Sequence, residues 1–141
     1  MLAIHPYLNF DGKTEEAFNF YRSVFGGEFT SFQRMKDMPN NTMPASEQER
    51  VMHVALPIGK GNILMGSDIL PSQGDSLRAG NNFYVLIAPE SEGEANKIFN
   101  ALSSGGKIQA PLGKTFWGAY FGMFTDKYGI QWMINYEYER R

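Results

Sequence analysis

The chain has 141 residues, a net charge of −2, 43% hydrophobic and 20% charged residues, and no cysteine. That length suits one domain with a substantial core, and the missing cysteines exclude disulfides, thiolate nucleophiles and cysteine-ligated zinc together. There is no Lys/Arg run to argue for nucleic acid, no apolar run long enough for a membrane span, and no secretory pattern in MLAIHPYLNF, so a cytoplasmic protein without nucleic-acid or membrane partners is expected.

Ala3–Phe10 alternates, with Pro6, Leu8 and Phe10 on one face and His5, Tyr7 and Asn9 on the other, which predicts a strand. Pro6 has no N–H for a ladder and places it at a sheet edge or a strand start. After the turn Asp11-Gly12-Lys13, Thr14 reads as the N-cap of a helix with Glu15 and Glu16 in its first turn and an apolar stripe of Ala17, Phe20, Tyr21 and Val24. Gly26-Gly27 ends it. Glu28–Met35 reads as a second strand and Lys36–Glu49 as a long loop, the kind that is usually functional or mobile. Met35, Met38, Met43 and Met52 surround that loop; core filling is their commoner use, a lid or a dimer contact the functional one. Arg50–Ile58 alternates again, Met52, Val54, Leu56 and Ile58 against Val51, His53 and Ala55. Gly59-Lys60-Gly61-Asn62 turns into a short strand, Ile63–Gly66, and Ser67–Gly80 is a linker.

The same order of signals then recurs. Asn82–Ile87 predicts a strand, with Asn82, Tyr84 and Leu86 on one face. Ser91 and Glu94 give a capping-box signature for a helix buried through Ala95, Ile98, Phe99 and Leu102 and ended by Gly105-Gly106. Lys107–Pro111 is a strand. Thr115–Tyr136 is two strands joined by a turn at Asp126-Lys127-Tyr128-Gly129, and it holds both tryptophans, Trp117 and Trp132. The halves superpose in sequence at an offset of 79 (105 − 26), pairing Phe20 with Phe99 and Gly26-Gly27 with Gly105-Gly106. Two copies are too few for a solenoid. The reading is an α+β fold, one domain built of two βαβββ modules (about 1–68 and 81–138), whose apolar faces bury the helices and whose mixed faces curl as incomplete barrel-like sheets around a cleft. On parity His5, Tyr7, His53, Tyr84, Gln131 and Met133 point into it.

Several stretches together, PYLNFDG with EEAFNFYRSVFGG, HVALPIGKGNILMGSD, and TFWGAYFG with TDKYGIQWMINY, resemble the PhnB-like branch of the vicinal-oxygen-chelate superfamily, the glyoxalase/bleomycin-resistance/dioxygenase group. The resemblance spans essentially the whole chain, and its most specific part is the TFW…FG…TDKYG…WMIN block. It implies paired βαβββ modules and a homodimer. Metal-dependent relatives take one ligand from the first and one from the last strand of each module, two His and two Glu. Here the resemblance places His5, Asn82, Met65 and Met133 at those positions. Only His5 is a competent donor, so three of the four are not and no metal or other cofactor is expected; a divalent ion would need a site built differently. Some PhnB-like sequences carry a label borrowed from a demethylubiquinone methyltransferase, but no Gly-rich loop here leads a strand into a helix as a nucleotide site requires.

Eleven Phe and seven Tyr predict a ring-built core or a ring-lined pocket. Tyr7, Tyr84, Trp117, Tyr120, Gln131 and Met133 are the candidate ligand contacts, with Phe121 beside them, although aromatic stripes are more often core. Trp132 has core parity and packs under the helices. His5 and His53 are the candidate catalytic pair, since imidazole titrates near neutrality and both lie on a mixed face; the bland reading is two hydrogen-bonded wall histidines. Asp68 is a capping or loop carboxylate before it is a third member of that site. Three functions follow: a metal-free small-molecule binder, an enzyme with His-centred or metal-dependent chemistry on a small polar substrate, and an interaction protein with a filled cleft.

Overall fold

The alternating apolar strands and two amphipathic helices assemble into two units, Met1–Arg78 and Ala79–Arg141, in a computed structural model that describes residues 2–138. In the first unit β1 (Tyr7–Phe10), α1 (Thr14–Phe25), β2 (Ser31–Arg34), β3 (Val51–Ile58) and β4 (Asn62–Asp68) form a four-stranded sheet in the order β1-β4-β3-β2. β1 lies parallel to β4 and the other pairs are antiparallel. β1 begins at Tyr7 rather than Ala3, although the Pro6 carbonyl still accepts from Met65 N at 3.2 Å.

α1 lies against β3 and β4. Ala17, Phe18 and Tyr21 are fully buried with Leu8, Phe10, Val54 and Leu56. Phe20, expected in that stripe, is half-exposed, and Phe18 takes its place. Each helix needs a glycine in the sheet beneath it: a Cβ at Gly66 would stand 2.7 Å from Phe18, and one at Gly122 would stand 2.7 Å from Phe99. β3 carries a bulge. Gln33 pairs with His53 but Arg34 pairs with Val51, so Met52 is the extra residue and Val51 is buried on the same side as Val54 and Leu56, against simple alternation.

The helix start also differs from its sequence reading. Thr14 is the first helical residue and Lys13, at the N-cap, makes no side-chain cap. Asp68 does that work. Its Oδ1 accepts from Gly12 N (2.9 Å), Thr14 N (3.1 Å) and Thr14 Oγ1 (2.7 Å), and its Oδ2 accepts from Val51 N at 2.8 Å. The 36–49 loop is held locally and from outside: Asn41 Nδ2 donates to the Met35 and Met38 carbonyls, and buried Glu47 ties the loop to the segment after β4 by accepting from Ser72 N and Ser72 Oγ at 2.9 and 2.7 Å.

The second unit repeats the plan with β5 (Val85–Ile87), α2 (Glu92–Leu102), β6 (Lys107–Lys114), β7 (Ala119–Thr125) and β8 (Gln131–Glu137), in the order β5-β8-β7-β6. Ala95, Phe99 and Leu102 are buried and Phe99 meets Phe124 edge-on at 5.1 Å. The buried helix positions match across the units at an offset of 78 (99 − 21, 95 − 17), so Tyr21 rather than Phe20 corresponds to Phe99, while the double glycines keep 79. β6 runs on to Lys114 because it is an edge strand, where Pro111 is tolerated, and two irregularities absorb the mismatch with β7. Each unit is therefore a βαβββ module with a mixed sheet, the α+β architecture expected. Among the described residues no helix is long and apolar enough to cross a membrane.

Ser91 caps α2 as its sequence signature requires: its Oγ accepts from Glu94 N at 3.0 Å, while Glu94 Oε1 reaches back to Glu90 N at 2.8 Å. Ser91→Ala should lower stability by about 1 kcal/mol, read from the urea midpoint at unchanged m; an unchanged midpoint would mean water replaces the cap.

Candidate functional site

Because each helix covers one face of its sheet, the opposite face of each sheet carries the residues of the other parity. In the first unit these include Tyr7 and Asn9 on β1, His53 on β3 and Met65 and Ser67 on β4. The Tyr7 and His53 rings stack at 5.7 Å with 26° between their planes, and Tyr7 Oη lies 3.2 Å from His53 Nδ1. Tyr7 is 45% exposed, so this pair is presented to solvent. His5 is engaged separately: Ile63 N donates to its Nδ1 at 3.3 Å, which makes Nδ1 an acceptor and leaves Nε2 to carry the proton of a neutral ring. His5 and His53 therefore sit in two distinct hydrogen-bond settings, and Tyr7, not His5, is the partner of His53.

Where β1 and β4 end, a hollow of about 460 Å³ opens, lined by Asn9, Met35, Met52, Ser67, Asp68 and Asp75 among others. Asn9 shares the parity of His5 and Tyr7, and Ser67 Oγ donates to its Oδ1 at 3.5 Å. Asp68 borders this hollow, but its oxygens serve the four donors given above. It is the capping carboxylate of the bland reading.

In the second unit the helix-free face carries Leu86, Met133 and Met123 in one cross-strand row, with Phe121 and Asn135 paired beside it. Phe121 meets Trp117 at 6.0 Å; Trp117 is 59% exposed and packs edge-on against Phe116. Tyr84 Oη donates to Gln109 Oε1 at 2.8 Å, and Gln109 Nε2 in turn donates to Thr125 Oγ1. Gln131 is buried and donates to the Phe83 carbonyl at 2.6 Å, which ties β8 to the segment entering β5. Tyr120 is the candidate the structure moves. It shares parity with Gly122 and Phe124, lies on the helix side, and donates to Asn96 Oδ1 of α2 at 2.7 Å. Trp132 packs as expected, 1% exposed, with its indole N–H donating to Asp126 Oδ2 at 2.8 Å.

The strand register corrects the counterpart of His5. Met65 stands beside Tyr7 and Met133 beside Leu86, so the residue matching His5, two positions before Tyr7, is Tyr84 rather than Asn82. Thus the first unit offers an imidazole and a thioether at the positions where metal-dependent relatives hold their ion, and the second a phenol and a thioether. Hard divalent ions take carboxylate and imidazole donors, so this set does not fit one. Among the described residues no group of three or more His, Cys, Asp or Glu is arranged to hold a metal.

Three titratable groups outside these faces are perturbed. Arg34 donates to both oxygens of Glu15 at 3.0 and 2.8 Å, which holds the Glu15 carboxyl below its usual range and the guanidinium above its own. The pair ties β2 to the first turn of α1 and is largely solvated, so its stabilising effect is small. Partial burial and a 2.6 Å hydrogen bond to Glu92 push the Tyr138 phenol up to about 12.

The family model described as 3-demethylubiquinone-9 3-methyltransferase matches residues 2–135. Protein YjdN of Escherichia coli (strain K12) is 29% identical over 143 residues and 95% of each chain is covered. The crystal structure of protein PA1353 from Pseudomonas aeruginosa is 39% identical, with a TM-score of 0.86 over 97% of this chain and 98% of that one. A Bacillus cereus structure described as a putative 3-demethylubiquinone-9 3-methyltransferase, PhnB protein, is 29% identical, with a TM-score of 0.75 over 96% and 99%. The fold alone is shared with a glyoxylase/bleomycin resistance protein/dioxygenase domain from Frankia sp. EAN1pec, 10% identical, with a TM-score of 0.67 over 97% and 98%.

Proposed function

The chain belongs to the 3-demethylubiquinone-9 3-methyltransferase family, the PhnB-like branch of the vicinal-oxygen-chelate superfamily, and on that premise we propose that it binds a small molecule on a helix-free sheet face without a divalent metal. The observation that carries this reading is the half-exposed ring and thioether lining of those faces, Tyr7, His53 and Met65 in one unit and Phe121, Met123 and Met133 in the other. Such a wall suits a flat or apolar ligand, with few polar groups to orient it. The helix N-termini are filled, that of α1 by Asp68 and that of α2 by Ser91 and Glu94, so neither offers free backbone N–H groups to an anionic ligand.

A thermal-shift screen of small aromatic and heteroaromatic compounds, run with and without EDTA, tests the proposal. Hits that raise the melting temperature equally in both conditions support it. Shifts given only by zinc or manganese, together with stoichiometric metal in the purified protein, would overturn it.

A second reading is favoured by one contact. The stacked, solvent-presented Tyr7–His53 pair, with Oη on Nδ1, is a ready proton-exchange couple for His-centred chemistry on a small polar substrate. Any turnover should then fall at least about a hundredfold in His53→Ala and persist in His5→Ala, because His5 spends its Nδ1 on Ile63 N–H. Equal turnover in both variants sinks the reading. We also propose that the protein acts in the cytoplasm as a homodimer, to be checked by sedimentation: a mass near twice 15.9 kDa is expected, and the monomer value would refute it.

A further inference from the structure

A second hollow, of about 410 Å³, lies in the second unit where the end of β8 meets the connection from β5 to α2. Its lining includes Glu90, Asn135, Tyr136, Glu137 and Tyr138. The Tyr136 and Tyr138 rings stand 5.3 Å apart and 75° from parallel, so they present two walls at nearly a right angle. We propose that this hollow binds a small organic cation of the quaternary ammonium type.

Three features select that chemistry. Aromatic faces carry negative quadrupole density, and two crossed faces embrace a rounded cation better than a flat neutral ring. The field around them is acidic: Glu90 and Glu137 line the hollow, and Glu92 stands behind Tyr138. The Tyr138 hydroxyl is already committed to Glu92, so that residue offers its ring rather than a hydrogen bond. A rounded, diffuse cation meets those ring faces without needing a hydrogen-bond partner. The molecule's own cation already responds to this surface, since Lys114 Nζ lies 5.8 Å from the Tyr138 ring centroid. The volume accommodates a choline-sized ion. The site shares no residue with the faces proposed above for the small-molecule ligand except Asn135 at its rim, so its fate is independent of that reading.

The test is calorimetric titration of the full chain with choline chloride and, separately, with its uncharged isostere 3,3-dimethyl-1-butanol. Saturable choline binding is expected, with the isostere weaker by roughly tenfold or more. Tyr136→Leu should weaken choline by roughly tenfold. Tyr138→Phe, which keeps the ring and drops the hydroxyl, should bind within about twofold of the parent, as expected if the face and not the phenol holds the ion. Glu90→Gln, at an exposed position that leaves the fold undisturbed, should weaken choline and leave the isostere unchanged. Equal affinities for choline and the isostere, no saturable choline binding, or unchanged affinity in both Tyr136→Leu and Glu90→Gln would each overturn the proposal.

Discussion

Asp68→Ala should destabilise the protein by on the order of 4 kcal/mol, one of the largest losses available to a single substitution in the first unit. The carboxylate is 6% exposed and accepts from three backbone N–H groups and one hydroxyl. Those donors come from the turn after β1, the first residue of α1 and the first residue of β3, and Asp68 itself ends β4. One side chain thus joins three stretches separated in sequence, residues 12–14, Val51 and the end of β4. Alanine removes the acceptor and leaves the donors, and a buried donor without a partner costs about 1–3 kcal/mol. Asp68→Asn keeps one carbonyl oxygen and should lose less, because the Oδ1 cluster at the start of α1 can stay while Val51 N faces an amide. Urea denaturation at constant m separates the two. A loss under about 1 kcal/mol for the alanine variant would show that water replaces the carboxylate and that the three stretches are held by their apolar contacts alone.

The architecture was legible because its signals are local. Alternation in Arg50–Ile58, the Ser91/Glu94 pair and the double glycines each announce an element from a few neighbouring residues, and their order recurs across the chain. What stayed hidden depends on partners distant in sequence. Thr14 has the composition of an N-cap, yet the acceptor is Asp68, 54 residues away. Alternation through β3 misassigns Val51, because the bulge at Met52 is set by pairing with β2. Tyr120 reads as a pocket ring from composition, but counting along β7 from Gly122 and Phe124 puts it under α2. The counterpart of His5 was within reach of the sequence, since the offset of 79 pairs it with Tyr84 (84 − 5), and the parallel registers of β1 with β4 and β5 with β8 agree. The tyrosines of the second hollow had one signal, the spacing of Tyr136 and Tyr138 at the end of an alternating strand, and nothing local distinguishes that spacing from an ordinary strand end.

Gly106→Ala should cost about 3 kcal/mol or more, while Gly105→Ala should cost only about 1 kcal/mol. The two glycines read alike in sequence, as a helix stop. In the structure α2 has already ended at Leu102, with Ser103 as its C-cap, and the glycines serve separate ends. Gly105 has φ of +77°, a left-handed conformation, and a Cβ there would meet only the flexible Lys127 side chain, at 3.2 Å. Gly106 has ordinary backbone angles, but its Cβ would overlap the Thr125 carbonyl oxygen and approach Asp126 C and Cα at 2.9 Å. These are backbone atoms at the end of β7 and cannot swing aside. The next residue, Lys107, pairs with Thr125, so the clash falls on the first rung between β6 and β7. It also displaces Asp126, whose carboxylate accepts from Tyr128 N, Ile130 N and the Trp132 indole. Alanine at 106 should therefore loosen the packing around buried Trp132 as well as lower stability, whereas alanine at 105 should leave that indole undisturbed. Urea titration gives the first quantity. Fluorescence of Trp132 in a Trp117→Phe background gives the second, as a red shift confined to the Gly106 variant. Equal losses at the two positions, with no spectral difference, would return both glycines to the simple role of ending the helix.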